Sequence, residues 1–449
     1  MTPALAPSSI LVDQVGDWLT EMAFTGAELD QIARGTFDRL AAAGLPIARA
    51  QVTFSILHPL YRAVGFTWRR VDGLKIEAYR HIQNGQTDRF RRSPYYVLLS
   101  NRLEYLRRRI SVEEVSEFPI LEELKQEGMT DYLAYVHNFE PYEDDDRAQG
   151  MMGSWTTDRP GGFIDADIAA LLKIQSQLAL VSKMAVLKRL AGNVLTTYLG
   201  GDAGRRVMNG QIKRGDGETI RAALVIGDMR NSTELSERLG RQGYIDTLDE
   251  FFDAIAKPFS MEGGQILSFL GDGFLAVYPC ERHRAESQEA CQKALKAAEI
   301  AMWRMGDFNR RRLADNNDAI GFGIGLHVGN VMFGNVGLQD RLTFSAFGRA
   351  VNEVTRLENL TKKYAVPLVA SAAFVEYCGG AWNEMGTEKL RGVEQEMTVY
   401  SPQPGQVITE EMCRFADSLE GDGGYSDAEN VVLLHRDSKR LPHQEAIAS

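Results

Sequence analysis

The sequence has few cysteines, no surplus of basic charge, and no unbroken apolar run that approaches the roughly 18 residues of a membrane span. Its four cysteines, Cys280, Cys291, Cys378 and Cys413, form no CxxC pair and are sparse in 449 residues. A secreted disulfide framework and a cysteine-rich zinc module are therefore excluded as expectations. The formal net charge is -11, so broad binding to a nucleic-acid backbone, which rewards a basic surface, is not expected. The arginine runs Arg69-Arg70, Arg91-Arg92 and Arg107-Arg108-Arg109 read as solvated faces. The amino terminus lacks the basic and apolar regions of a secretory signal, and the expectation is a cytoplasmic protein. No internal repeat is visible.

What remains is ordinary globular composition, 44% hydrophobic and 25% charged, at a length that calls for two domains and a tail. Residues 1–165 mix helical spacing from Val12 to Leu45 with strand-like runs Gln51 to His58 and Tyr132 to His137, and read as an α/β unit. The acidic run Glu143 to Asp146 beside Pro141 reads as a surface loop, and His58, His81 and His137 as ordinary histidines, since no heme, flavin or metal signature surrounds them. A turn-rich stretch from Ser154 to Phe163 leads into a helix expected over Asp165 to Leu199. In it Leu180, Met184, Leu187, Ala191 and Val194 recur at steps of four and three, along one seam. That seam suits either a parallel coiled coil with a second subunit or burial against the chain's own N-terminal domain. Residues 166–217 are expected to be a helical linker, with Gly200 to Gly217 as the connector, and 406–449 a flexible tail whose one apolar run is Val431 to Leu434. Between them, residues 218–405 alternate strand-like and helical segments, which predicts a sheet covered by helices.

Three constellations in this last region carry chemistry. In the first, an apolar strand ending Val225-Ile226-Gly227 delivers Asp228, and Met229-Arg230-Asn231-Ser232-Thr233 turns into a helix. A carboxylate at a strand end can hold a hard cation, and the turn's NH groups with the oncoming helix N-terminus suit phosphate. In the second, Gly271-Asp272-Gly273 forms the acidic tip of a hairpin between two apolar strands. In the third, Asn352 and Arg356 lie four apart on a predicted helix and so leave the same face. An amide can orient a sugar there, and a guanidinium can meet charge developing on a phosphoryl group. Each alone has a plain structural explanation: a helix cap, a tight turn, an exposed amide beside an ion-paired arginine.

Together, in this order and spacing, they resemble the class III adenylyl and guanylyl cyclases, from about Arg221 to Pro402. The resemblance takes in Gly323-Ile324-Gly325-Leu326-His327-Val328-Gly329, Gly334-Asn335-Val336-Gly337 and Leu390-Arg391-Gly392-Val393. It implies a ferredoxin-like α/β domain working as a head-to-tail homodimer with two composite sites. Asp228 and Asp272 of one chain would hold two Mg²⁺ or Mn²⁺ ions, with the Met229 carbonyl as a further ligand, and Asn352 and Arg356 would come from the partner. The implied substrate is ATP, with GTP as the alternative, converted to a cyclic nucleotide and pyrophosphate; Arg230, Asn231, Ser232 and Thr233 are expected to contact it.

The departures bear on the base. Adenine-selecting members carry a lysine four residues before the second aspartate, and an aspartate or threonine seven before the asparagine; here stand Ser268 and Ser345. Ser345 can accept a hydrogen bond as threonine would, whereas Ser268 matches neither that lysine nor the glutamate of guanine-selecting members. A guanylate or dual-specificity enzyme, and a degenerate nucleotide-binding module without catalysis, are therefore the alternatives. The N-terminal region, with Gly161-Gly162-Phe163 before a long helix, is similar to a GAF-type sensor, which implies an unidentified small-molecule or protein regulator.

Overall fold

The computed structural model describes residues 6–56, 60–81, 87–111, 116–139, 150–280, 283–389 and 396–403, and the backbone of 431–434. His58, the run Glu143 to Asp146, Leu390 to Val393 and Cys413 lie outside the described residues. The chain divides into two compact units, one of residues 1–194 with 425–442, the other of the remainder.

In the first unit the elements run α1 (Ser9–Thr25), α2 (Leu29–Ala42), β1 (Arg49–Ser55), β2 (Tyr61–Arg69), β3 (Gly73–Arg80), α3 (Asp88–Arg91), α4 (Pro94–Ser100), β4 (Tyr105–Arg109), α5 (Pro119–Gln126), β5 (Asp131–Asn138), β6 (Gly150–Thr157) and α6 (Asp165–Leu199). The second holds α7 (Gly201–Met208), β7 (Gly217–Met229), α8 (Ser232–Ile255), α9 (Lys257–Met261), β8 (Gln265–Leu270), β9 (Gly273–Cys280), α10 (Arg284–Ala314), β10 (Phe322–Gly337), β11 (Leu342–Phe347), α11 (Arg349–Tyr364), β12 (Leu368–Ser371), α12 (Ala372–Cys378), β13 (Trp382–Glu388) and β14 (Met397–Pro402). A last strand, β15 (Val431–Leu434), returns to the first unit.

The first sheet is antiparallel in the order β15-β3-β2-β1-β6-β5-β4. One face, with Ala50, Val52, Leu133 and Trp155, is covered by α1, α2 and α6; the other, with Tyr132, Ala134 and Val136, packs on Leu98 of α4 and Leu121 and Leu124 of α5. The β15 pairing places one segment of the expected featureless tail in a sheet, because an apolar run can satisfy the open edge of β3.

Helix α6 packs through one stripe and leaves the expected seam exposed. It does pack on its own unit, but through Leu171, Ile174, Leu178, Val181 and Val186, while Leu180 (65% exposed), Met184 (49%) and Leu187 (48%) lie on the outside. The seam is thus not the stripe that the N-terminal core buries. By length and composition α6 is also long and apolar enough to cross a membrane, at mean hydropathy 1.3, with 44% of that window buried inside the protein. A search for unbroken apolar runs passes over it because Gln175, Ser176, Gln177 and Ser182 interrupt the pattern.

Two buried carboxylates fix where α6 starts. Asp131 is fully buried and accepts from Arg107 Nη2 at 2.6 Å and from the Phe163 amide at 2.9 Å; Asp167 accepts from Arg159 and from the Ile164 amide. Gly162, at φ 76°, lies so close to Asp131 Oδ2 that no side chain fits, which explains the glycine pair before the helix.

The second sheet runs β13-β14-β12-β10-β7-β9-β8, antiparallel except for β10 with β12, and β11 pairs with the far half of β10. Strand β7 is central, and its residues 222–227 are buried on both faces, hence the unalternating apolar run. Helices α8, α9, α10 and α12 cover the face of Ala223, Val225 and Phe274. The opposite face, that of Ala222, Leu224 and Ile226, packs on Ala350 and Val354 of α11.

Replacing Asp131 by Ala should leave the Arg107 guanidinium and the Phe163 amide without their buried acceptor. Loss of one partner from such a pair typically costs about 3 to 5 kcal/mol. The expected result is a large drop in the urea midpoint of the N-terminal unit, with the C-terminal transition unmoved.

Candidate active site

The central strand sets the site. Side chains alternate along β7, so Asp228 shares the face of Leu224 and Ile226, on the side of α11. Its cross-strand neighbours are both glycines, Gly273 on β9 and Gly323 on β10. A Cβ on Gly273 would stand 2.7 Å from Asp228 Oδ1, and one on Gly323 would stand 2.6 Å from Glu358 Oε1. The two glycines therefore leave a cradle at the strand end, and the Asp228 carboxylate leans over one side of it.

Asp272 is brought to the same end by the hairpin. Gly271 takes the first central position of the two-residue loop with φ 68°, as a type II′ turn requires. The Asp272 carbonyl accepts from the Met229 amide at 3.1 Å, tying the turn to the end of β7. Burial raises the Asp228 carboxyl above the ordinary aspartate range, and the negative charge of Asp272 raises it further, while Lys362 pulls it back. Lys362 Nζ on α11 is 3.8 Å from Asp228 Oδ2. One turn earlier on the same helix, Glu358 is 3% exposed and its Oε1 has no hydrogen-bond partner. Its carboxyl is raised by burial first, and then by Asp228 and Asp272.

The orientation of α11 follows from its inward side chains. Glu353 accepts from His327 Nε2 at 3.1 Å and from Arg349 Nε at 2.8 Å, and His327 Nδ1 is 2.8 Å from Ser371 Oγ. The His327 contact, with the Arg349 guanidinium, holds the Glu353 carboxyl below the usual glutamate range against the effect of burial. Together with Val354, Leu357 and Glu358, which are also buried, this fixes the helix rotation, so exposed Asn352 and half-exposed Arg356 point outward.

Among the described residues, no group of three or more His, Cys, Asp or Glu side chains converges to hold a metal ion. The site is a carboxylate pair with a buried acid behind it. Hard oxygen donors, crowded negative charge and the space beside Gly273 fit a Mg²⁺-type cation that takes its other ligands from water and phosphate.

Residues 218–401 match the family model described as the adenylate and guanylate cyclase catalytic domain. The second unit carries a class III nucleotide cyclase domain. Adenylate cyclase 1 of Rhizobium meliloti (strain 1021) is 26% identical over 254 residues, covering 54% of this chain and 37% of that protein. An adenylate cyclase of Anabaena cylindrica is 28% identical over 168 residues, 36% of this chain and 32% of that protein. The chain thus spans about a third of the length of the curated relatives it matches. The solved adenylyl cyclase CyaB from P. aeruginosa is similar at 19% identity with a TM-score of 0.39, covering 43% of this chain and all of that one. The guanylyl cyclase Cya2 is similar at 22% identity with a TM-score of 0.37, covering 42% and 98%.

Within the cyclase domain, Asp228, Met229 and Asp272 come together at one strand end. Asn231, at φ 57°, caps α8 and is followed by half-exposed Ser232 and exposed Thr233, so the helix N-terminus opens beside the carboxylates. Burial raises the Tyr244 hydroxyl above the ordinary tyrosine range, and the charges of Asp272 and Asp228 add to this against a hydrogen bond with Ser232. Arg230, expected at the substrate, donates from its Nη2 to the Val366 carbonyl at 3.0 Å, which ties the turn to the loop after α11. Among the described residues no hydrogen bond or ion pair joins Asn352 or Arg356 to either aspartate of the same chain. Ser345 is buried on β11 and Ser268 half-exposed on β8, just past a bulge, with no hydrogen bond between them.

Sequence reasoning missed Lys362 and Glu358. A lysine in the last turn of a helix reads as a cation complementing the macrodipole, and a glutamate six positions before the helix end reads as solvated. Only packing reveals that Gly323 and Gly325 let α11 approach β10 closely enough to bring both beside Asp228.

Two outcomes follow for the cyclase domain. Gly273→Ala should overpack the cradle at a cost of about 1 to 3 kcal/mol and displace Asp228, lowering both thermal stability and Mn²⁺ affinity. Asp228 binds its proton more tightly in the folded state than in the unfolded one, so above the ordinary value of 3.8 its contribution to stability is lost as pH rises. Asp228→Asn should therefore raise the metal-free thermal midpoint at neutral pH, by an amount that shrinks toward pH 3.8.

Proposed function

We propose that this protein is an adenylate cyclase that converts ATP to 3',5'-cyclic AMP and pyrophosphate at composite sites shared by two copies of the chain. The observation that carries the reading is the convergence of Asp228 and Asp272 on a glycine cradle while Asn352 and Arg356 of the same unit face outward. A second copy placed head to tail would complete each site. The face that carries Asp228 has an apolar side chain to cover, since Leu270, in register with Gly273, is 58% exposed; Met332 (56%) and Leu338 (65%) are exposed elsewhere on this unit.

In this reading Asp228, Asp272 and the Met229 carbonyl hold two Mg²⁺ or Mn²⁺ ions. When bound, such ions neutralise triphosphate charge and favour an ionised ribose 3'-hydroxyl. The α8 N-terminus, with Asn231, Ser232 and Thr233, receives phosphate oxygens through backbone NH groups. Asn352 of the partner orients the ribose, and Arg356 stabilises charge on the α-phosphate as pyrophosphate leaves. Ser345 accepts from the adenine amino group. Ser268 supplies neither a lysine nor a glutamate to the base, which favours loose selection and makes a dual-specificity enzyme the second reading. The first unit serves as a GAF-type sensor in a cytoplasmic protein, with α6 transmitting its state through a parallel pairing of the exposed seam.

Purified full-length protein should form cyclic AMP from ATP with Mg²⁺ or Mn²⁺, and competition with equimolar GTP should show the preference. Arg356→Ala should lose about a hundredfold to a thousandfold in kcat, and Asp272→Ala nearly all activity. Mixing these two inactive variants should restore about a quarter of wild-type activity, because heterodimers hold one intact site. Activity undiminished in Asp272→Ala, or no recovery on mixing two folded variants, contradicts the composite site.

A further inference from the structure

Helix α11 offers one lysine to two carboxylates. Lys362 Nζ is 3.8 Å from Asp228 Oδ2, and the lysine side chain is half-exposed. Glu358 stands four residues earlier on the same helix. At that spacing two side chains are neighbours, and a glutamate on the N-terminal side of a lysine is the favourable order. Among the described residues, however, no ion pair joins Lys362 to Glu358, and Glu358 Oε1 is buried without a hydrogen-bond partner. That oxygen lies beside Gly323, where a Cβ would stand 2.6 Å from it, and Gly323 is directly opposite Asp228 across the β7 and β10 pair.

The two carboxylates therefore flank one place within reach of one ammonium. Burial and then Asp228 raise the Glu358 carboxyl, and of the cations that act against them Lys362 comes first, ahead of Arg230. A buried acceptor without a donor is costly, and such atoms are otherwise nearly always satisfied. Lysine carries a point charge on a flexible stem with rotatable donors, so it can change partner without moving the helix. An ammonium and a divalent cation that both need Asp228 compete for it. The displaced lysine forfeits its ion pair unless a second acceptor receives it, and Glu358 Oε1 is placed to do so.

We infer that Lys362 sets the metal affinity of the site by moving between two partners: it pairs with Asp228 until a divalent cation takes that carboxylate, and then pairs with Glu358. The inference rests on the reading of Asp228 and Asp272 as metal ligands. Mn²⁺ binding to the full-length protein without nucleotide tests it, followed by the electron paramagnetic resonance signal of free Mn²⁺. Lys362→Met, which keeps a straight apolar stem and removes the charge, should tighten binding about fivefold to tenfold. Glu358→Gln should weaken binding about threefold or more in the presence of Lys362, and that loss should largely disappear in the Lys362→Met background, because the two residues then no longer act through each other. Unchanged affinity in Lys362→Met, or an equal loss from Glu358→Gln in both backgrounds, overturns the inference alone. Mn²⁺ binding that Asp272→Ala leaves unchanged, or no binding in either wild type or Lys362→Met, overturns the metal assignment and the inference with it. If Glu358→Gln does not fold, Glu358→Asp, which withdraws the carboxylate by one methylene, takes its place with the same expectation.

Discussion

The close approach of a helix and two strands to the end of β7, permitted by glycine at three positions, is the constraint on which the C-terminal unit depends. Gly325 lets the backbone of α11 settle against β10, since a Cβ there would meet the Glu358 amide and the Val354 carbonyl at 2.6 Å. Gly323 leaves the space that Glu358 fills, and Gly273 the space into which Asp228 leans. Without these contacts the two carboxylates would still sit at strand ends, but the buried acid and the lysine of α11 would not be gathered around them. Asp228, Asp272 and Glu358 outnumber the cations that act on them, Lys362 and Arg230. An acid whose carboxyl is raised by burial and then by like-charged neighbours stores free energy that a bound cation can release, at the expense of the empty protein's stability.

The same helix serves two purposes through its two faces. Glu353 and Glu358 face the sheet, the first held by His327 and Arg349, the second buried beside the aspartates. Fixing those residues leaves Asn352 and Arg356 on the outside, where no hydrogen bond or ion pair among the described residues joins them to the aspartates. Because that guanidinium faces away from the carboxylates of its own chain, the proposed function needs a second copy to bring the two together.

In the first unit the charges are arranged differently. Asp131 is buried with strong donors on both oxygens and Asp167 with two donors on Oδ2, and both act as clasps at the start of α6, so the orientation of the long helix is set by the sheet rather than by its own sequence. Arg49, on the other face, is buried with donor capacity to spare.

Much of this was legible in the residues. The apolar run into Asp228, the Gly-Asp-Gly tip and the four-residue spacing of Asn352 and Arg356 are local patterns, and local patterns survive folding because strand alternation, turn chemistry and helical period depend on near neighbours. They gave the strands, the hairpin, the helix and the order of the site. What only the tertiary structure decided is which distant groups meet: Lys362 and Glu358 beside Asp228, Arg230 bonded to the Val366 carbonyl, the apolar seam of α6 outside while another stripe is buried, and Val431–Leu434 added to the edge of the first sheet. Those outcomes depend on side chains far apart in the sequence competing for the same space, and no spacing rule along one segment encodes which of them wins.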